Sequence, residues 1–360
     1  MQLKKIQLAF IGFLFLLTGC IKQVTVETRN EKPILVVEGS ITTDSIPYTV
    51  KLSYSGPYKF ATDLPDEYVE KEARVSITNE SGEATVLVHT GNGVYETTDS
   101  NYVGKAGSSY QVIVELKDGR KYLSRPEKIN QPVPISNISA TYFHDNNFNF
   151  PASMHVYINS NDPANEENYY KWDFYSWVMR QTHGIPCGFG CVQFEYCYQK
   201  IIGEEVRLFS DASANGKEIK NREVGYSYIY TFGNAFIDIA QQSLTREAYQ
   251  FWQRYEDQVA RTGGILDPLP SSIKGNVFNQ ADSTDFALGY FFASSVTHRR
   301  AILVPFSITQ ALLNASAIAF IPDGPKNCFE YFPNTLSYTL PVQYPPPPGW
   351  ENAERIEVRW

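Results

Sequence analysis

The sequence predicts a mainly β protein: an N-terminal immunoglobulin-like β-sandwich, then a β-rich α+β domain with one long amphipathic helix. Three observations lead there. Aromatic residues make up 14% of 360 residues, with 24 Tyr and 22 Phe against 3 Met, and large rings favour strands. Short, partly alternating runs recur between turn residues over 33–130, at about the 8–12-residue spacing of a sandwich. One stretch, near 246–262, carries helical periodicity instead.

Residues 1–19 read as a lipoprotein signal peptide. Lys4 and Lys5 form the positive start, and Ile6 to Leu17 is an apolar run broken by Gln7 and Gly12. That run is shorter than the roughly 20 residues a membrane helix needs. It ends in Leu17-Thr18-Gly19-Cys20, a lipobox-like order in which Cys20 takes the lipid and the signal is cut before it. Two or more acyl chains then hold the N-terminus to a membrane stably. A plain signal peptide with a chance Cys and an uncleaved anchor are the rival readings. Ile21 and Lys22 supply neither an inner-membrane retention Asp nor an acidic export tag. The expectation is therefore an outer-membrane lipoprotein, with the periplasmic or cell-surface face unassigned. Residues 20–32 are polar and unpatterned, as a tether is.

The domain over 33–130 starts at Ile34-Leu35-Val36-Val37-Glu38-Gly39. Runs at Tyr48–Tyr54, Ala73–Thr78, Ala84–His89, Val94–Thr97, Ser109–Leu116 and Lys121–Ser124 follow. Asn79-Glu80-Ser81-Gly82 and Lys117-Asp118-Gly119-Arg120 are hairpin turns, Gly supplying positive φ. No Cys or Trp falls in 21–130, so apolar packing alone must hold this part. Pro132 and Pro134 mark a boundary, since prolines two apart stiffen a linker.

Residues 131–360 form the second domain. Tyr169 to Trp177 is a ring-rich strand. Thr245 can cap the helix and Glu247 suits its positive end, while Gly263-Gly264 would stop it. Ala248, Phe251, Trp252, Tyr255 and Val259 would form its apolar face. Ile273–Val277 and Phe286–Ala293 look like strands, and 301–320 is ambiguous between strand and buried helix.

Chemistry is sparse. A net charge of −8, more negative once Lys4 and Lys5 leave with the signal, argues against nucleic acid as a partner. Cys187, Cys191, Cys197 and Cys328 are disulfide candidates in an exported chain, with all three pairings open. A zinc site is the rival, but the usual two-residue gap is missing. The five His form no metalloprotease pair, and no nucleophile elbow or P-loop occurs. We therefore expect no enzyme, no cofactor and no metal. Tyr169, Tyr170, Trp172, Tyr175 and Trp177 are the candidates for a ligand or partner surface through ring stacking, with core packing as the plainer alternative.

Several segments in order resemble the domain-of-unknown-function 4249 family of Bacteroidota outer-membrane lipoproteins. Besides the lipobox-like end they are Leu35-Val36-Val37-Glu38-Gly39-Ser40-Ile41, Tyr48 to Tyr58, Tyr169-Tyr170-Lys171-Trp172, Ser243 to Tyr249, Asp267-Pro268-Leu269-Pro270 and Leu288 to Ser294. Cys328-Phe329-Glu330-Tyr331 lacks the second Cys expected there, which leaves a family disulfide scheme open. The resemblance implies proteins encoded beside TonB-dependent transporters. That suggests an accessory at such a transporter, with no catalytic residues to carry over and the ligand unnamed. A cell-envelope hydrolase and a structural or adhesive lipoprotein are the alternatives.

Overall fold

The computed structural model describes residues 33–56, 65–143, 153–304 and 349–358. Excepted are 165, 182–184, 189–190, 194–195, 204, 213–214, 229–233, 262–271 and 283, and within 179–197 the backbone alone is described. The first strands are β1 (Leu35–Thr42), β2 (Thr49–Tyr54), β3 (Arg74–Asn79), β4 (Ala84–Gly91), β5 (Val94–Thr97), β6 (Ser109–Glu115), β7 (Lys121–Ser124) and β8 (Glu127–Lys128). Next come β9 (Ile135–Phe143), β10 (Ser153–Asn161), β11 (Tyr169–Gln181), β12 (Ile185–Gly188), β13 (Cys191–Gln193), β14 (Tyr196–Ile202), β15 (Arg207–Ser210) and β16 (Glu218–Tyr228). The last are β17 (Ala235–Leu244), helix α1 (Arg246–Ala260), β18 (Lys274–Asn279), β19 (Phe286–Val304) and β20 (Glu354–Glu357).

The expected immunoglobulin-like sandwich is not what forms. Nine strands close into a barrel in the order β1-β2-β5-β4-β3-β6-β7-β18-β19, with β19 returning to β1. Each strand expected over 33–130 is present close to its predicted ends. Alternation dictates which face of a strand is apolar, not which strand lies beside it. The partners that close the ring come from far along the chain: β18 pairs with β7, and β19 pairs in parallel with β1 from Val36↔Leu288 to Thr42↔Ser294. An odd number of strands cannot alternate direction all the way round, so one parallel seam is required. β1–β19 is that seam.

The barrel is filled. Val37, Ile41, Val50, Leu52, Val75, Ile77, Val112 and Val114 are buried inside it, with Phe291 and Ala293 from β19. Each such side chain contributes about 1.5–3 kcal/mol by leaving water. Glu38 and Lys51, paired across β1 and β2, are not among the buried residues. An apolar interior is the reverse of a membrane-spanning barrel, whose apolar band faces outward. Among the described residues no helix is long and apolar enough to cross a membrane.

Two glycines permit a sharp corner at β18/β19. A Cβ on Gly275 would lie 1.5 Å from the Gly289 carbonyl oxygen, and Gly289 has φ +78. Register slips between Lys274 and Phe278, and Asn276 restores the lost pairing with its side chain. Its Nδ2 donates to the Phe291 carbonyl at 2.7 Å, and the Phe291 N–H donates to its Oδ1 at 3.0 Å.

The second half of β19 leaves the barrel and joins another sheet, β19-β17-β11-β14, with β15 on β11 and β20 on β19. This sheet packs over β16-β10-β9, burying Tyr170, Trp172, Phe174, Ile237 and Ile239 against Met154, Val156 and Ile158. The Trp172 indole donates to Gln241 Oε1 at 2.8 Å, and Gln241 Nε2 donates to the Val133 carbonyl at 2.6 Å. Those bonds satisfy polar groups that burial would otherwise make costly.

Helix α1 forms where the periodicity put it. Thr245 caps it, its Oγ1 accepting from the Ala248 N–H at 3.2 Å. Ala248 and Phe251 are buried, and the Phe251 ring sits 4.9 Å from Tyr290. The expected apolar face is only half used. Tyr255 and Val259 are 43% and 55% exposed, because the last turns run past the sheet. Gly263 and Gly264 lie outside the described residues.

The Thr245 hydroxyl also donates to Glu127 Oε2 at 2.6 Å, tying the helix start to the barrel. Glu127 Oε1 accepts from Asn276 Nδ2 at 3.2 Å and from the Tyr290 hydroxyl. Burial raises the Glu127 carboxyl above its ordinary range, although these three donors pull the other way.

Candidate functional site

Strand β11 divides the five aromatic candidates between its two faces, as period-two geometry demands. Tyr170 and Trp172 point into the core, at 0% and 1% exposure. They cannot meet a ligand, which corrects the expectation for those two. Tyr169 is buried beneath α1, where it donates to Glu167 Oε2 at 2.7 Å and packs on Tyr249. Tyr175 and Trp177 lie on the outer face, half-buried. The Trp177 ring meets Trp350 edge-on at 4.6 Å. Lys200 on β14 is exposed and places its ammonium 4.6 Å from the Tyr175 ring centre and 5.3 Å from that of Trp177. A cation over two rings is favourable. Burial, then the carboxylates of Asp173, Asp238 and Asp44, push the Tyr175 hydroxyl up to about 12.

The same face carries charges that the sequence reading missed. Lys171 and Asp173 share it with Tyr175 and Trp177. The Lys171 ammonium bonds Asp173 Oδ1 and lies 5.0 Å from the centre of the Trp252 ring on α1. Gln242 on β17 donates to Asp173 Oδ2 and accepts from the Ser294 hydroxyl at 3.2 Å. Further along, Asp238 opposes Tyr175 across the ladder. His298 Nδ1 donates to Asp238 Oδ1 at 2.8 Å, and its Nε2 donates to Asp44 Oδ2 at 2.9 Å. Arg300 Nε donates to Asp238 Oδ2 at 3.0 Å, and its guanidinium stands 4.7 Å from the Trp350 ring centre. The signal available was the alternation itself: Lys171, Asp173, Tyr175 and Trp177 are every second residue.

The electrostatics decide what His298 can do. Its bonds to Asp238 and Asp44 outweigh burial and push it up to about 10. Burial alone would raise the Asp238 carboxyl, but His298 and Arg300 bring it below its ordinary value. At neutral pH His298 is therefore an imidazolium facing the Asp238 carboxylate. An imidazolium with both N–H groups engaged has no lone pair with which to take a proton. His298 is thus an ionic clasp between the loop after β1 and the second sheet.

Among the described residues no group of three or more His, Cys, Asp or Glu could hold a metal ion. Cys20 and Cys328 lie outside the described residues, as do the side chains of Cys187, Cys191 and Cys197. The backbones of those three lie in β12, β13 and β14.

The sequence model of a domain of unknown function, DUF4249, matches residues 21–300. The chain belongs to the DUF4249 family. The DUF4249 match takes in the barrel, α1 and β19 as far as Arg300, and with them the whole Asp44–His298–Asp238 clasp. It stops before Trp350. The chain matches no curated protein.

Proposed function

We propose that the protein is a non-catalytic, lipid-anchored accessory of the outer membrane, a binding or assembly partner of a TonB-dependent nutrient transporter. The observation that carries this reading is Leu17-Thr18-Gly19-Cys20 at the end of a short apolar run with Lys4 and Lys5 before it. Lipid on Cys20, followed by the polar stretch 21–32, would hold the barrel close to the bilayer. The transporter rests on the family resemblance, whose members tend to be encoded beside such transporters. The outer face of the second sheet is the docking surface in this reading. Tyr175 and Trp177 beneath Lys200 supply two rings of the kinds that dominate binding energy at interfaces.

The test is co-purification. A tag on the full chain in mild detergent should recover a β-barrel transporter from the native membrane. Trp177→Ala with Lys200→Glu should cut that recovery about tenfold or more, in line with loss of a central anchor. Recovery of the lipoprotein alone would overturn the partner. Cys20→Ala should release the protein from the membrane, and persistence there would overturn the anchor.

A further inference from the structure

A groove of about 300 Å³ opens between the two packed sheets, on the side away from Trp177. Its floor is Phe174 and Val224, and its rim is Ile202, Arg207, Tyr226 and Tyr228. The floor is closed rather than bare: Phe174 is 4% exposed, because the glycine backbones in β16 and just after β14 lie against it. A Cβ on Gly225 would sit 2.4 Å from Phe174 Cγ, and one on Gly203 would sit 3.4 Å from Phe174 Cβ. Ile202 is 58% exposed at the mouth. The volume is at the small end for ligand pockets, about 300–1,000 Å³, so it suits a single ring.

A track of rings leads out of the groove across the β16-β10-β9 sheet. Tyr228 meets Tyr226 at 5.2 Å, Tyr226 stacks on His155 at 5.4 Å, and His155 meets Phe143 at 5.2 Å. Phe143 is 55% exposed. Successive rings step by about one ring's width, so a chain of linked rings could lie along them.

The polar groups beside the track set the charge of the occupant. Arg207 Nη2 bonds Glu205 Oε2 and lies 3.3 Å from Glu223 Oε1, and His155 Nδ1 lies 3.2 Å from the same oxygen. Two carboxylates already face one guanidinium, so a phosphate or carboxylate ligand would be repelled. Arg207 Nε is buried and has no hydrogen-bond partner among the described residues. That nitrogen is closed off, so a ligand hydroxyl would meet the Glu205 carboxylate, whose side chain is 56% exposed.

We infer that this groove and ring track bind a neutral oligosaccharide, one terminal ring in the groove and the following units over Tyr226, His155 and Phe143. A sugar ring offers an apolar face to aromatic rings and hydroxyls at its edge to Glu205. This goes beyond the accessory role and uses another face of the molecule.

Calorimetric titration of the full chain in mild detergent with cellohexaose, maltohexaose and chitohexaose tests it. At least one hexasaccharide should bind, and its monosaccharide should bind about tenfold more weakly or worse, since each stacked ring adds affinity. Tyr226→Ala should weaken binding about tenfold. Phe143→Ala, at an exposed position that should not threaten folding, should weaken the hexasaccharide and leave the monosaccharide unchanged. Trp177→Ala should change neither. Absence of binding by all three hexasaccharides at about 10 mM would overturn the inference. So would binding abolished by Trp177→Ala but not Tyr226→Ala, or tighter binding of an uncharged aromatic hexapeptide. Transporter recovery through Trp177 could fail while sugar binding persists, so the two readings fall separately.

Discussion

Replacing His298 with Ala should remove a pH-dependent part of the stability. The ring is 35% exposed, Asp238 6% and Asp44 43%. A charge-assisted bond to the buried Asp238 is worth about 1.5–3 kcal/mol. The exposed pair with Asp44 adds only about 0.2–1 kcal/mol. Because a third of the ring is in water, we take the low end, about 2 kcal/mol together. The folded imidazole is pushed up to about 10, against about 6.5 in the unfolded chain. The folded state therefore binds the extra proton, and stability falls as pH rises. The contribution is whole below about pH 6.5 and declines towards pH 10. Urea unfolding of both proteins at pH 6.0, 7.5 and 9.0 measures it. The variant should be about 2 kcal/mol less stable at pH 6, with the gap at least halved at pH 9. A gap that is constant or widens with pH would refute the ionic clasp, as would no gap at pH 6.

Two further predictions concern the barrel. Gly275→Ala should cost more than about 3 kcal/mol, because its Cβ meets backbone that cannot swing away; Gly82→Ala, in open space at φ +83, should cost about 1 kcal/mol, and equal losses in thermal melts would contradict the corner. Glu127→Gln should flatten a stability loss that begins above about pH 4.5, since the raised folded carboxyl holds a proton that the unfolded one releases; identical pH profiles of variant and parent would contradict it.

Local features were legible and long-range ones were not. The strands from Leu35 to Ser124 follow from alternation and turn glycines, and α1 follows from Thr245 and its apolar spacing. The sandwich was misread because β1 and β19 lie some 250 residues apart in sequence, and nothing local in either names the other. Part of the site was half-legible. Tyr169 to Trp177 was recognisable as a ring-rich strand, and the two-residue period already sorted Trp172 from Trp177. The clasp was not legible, because Asp44, in the loop after β1, meets Asp238 and His298 only once β17 and β19 are paired and β19 lies beside β1. The second half of the helix face misled for a related reason: periodicity shows which side is apolar, not how far the neighbouring sheet extends beneath it.

The parallel seam also has a mechanical consequence. A pull on the chain ahead of Leu35 acts along β1, which is hydrogen-bonded to β2 on one side and β19 on the other. Such a load shears both ladders at once, so many bonds share the force instead of opening one by one. What crosses the seam enters β19, whose far half is a member of the second sheet. A tug at the N-terminus is thereby delivered along one continuous strand to the face that bears His298 and Arg300, and the molecule resists it as a single stiff body.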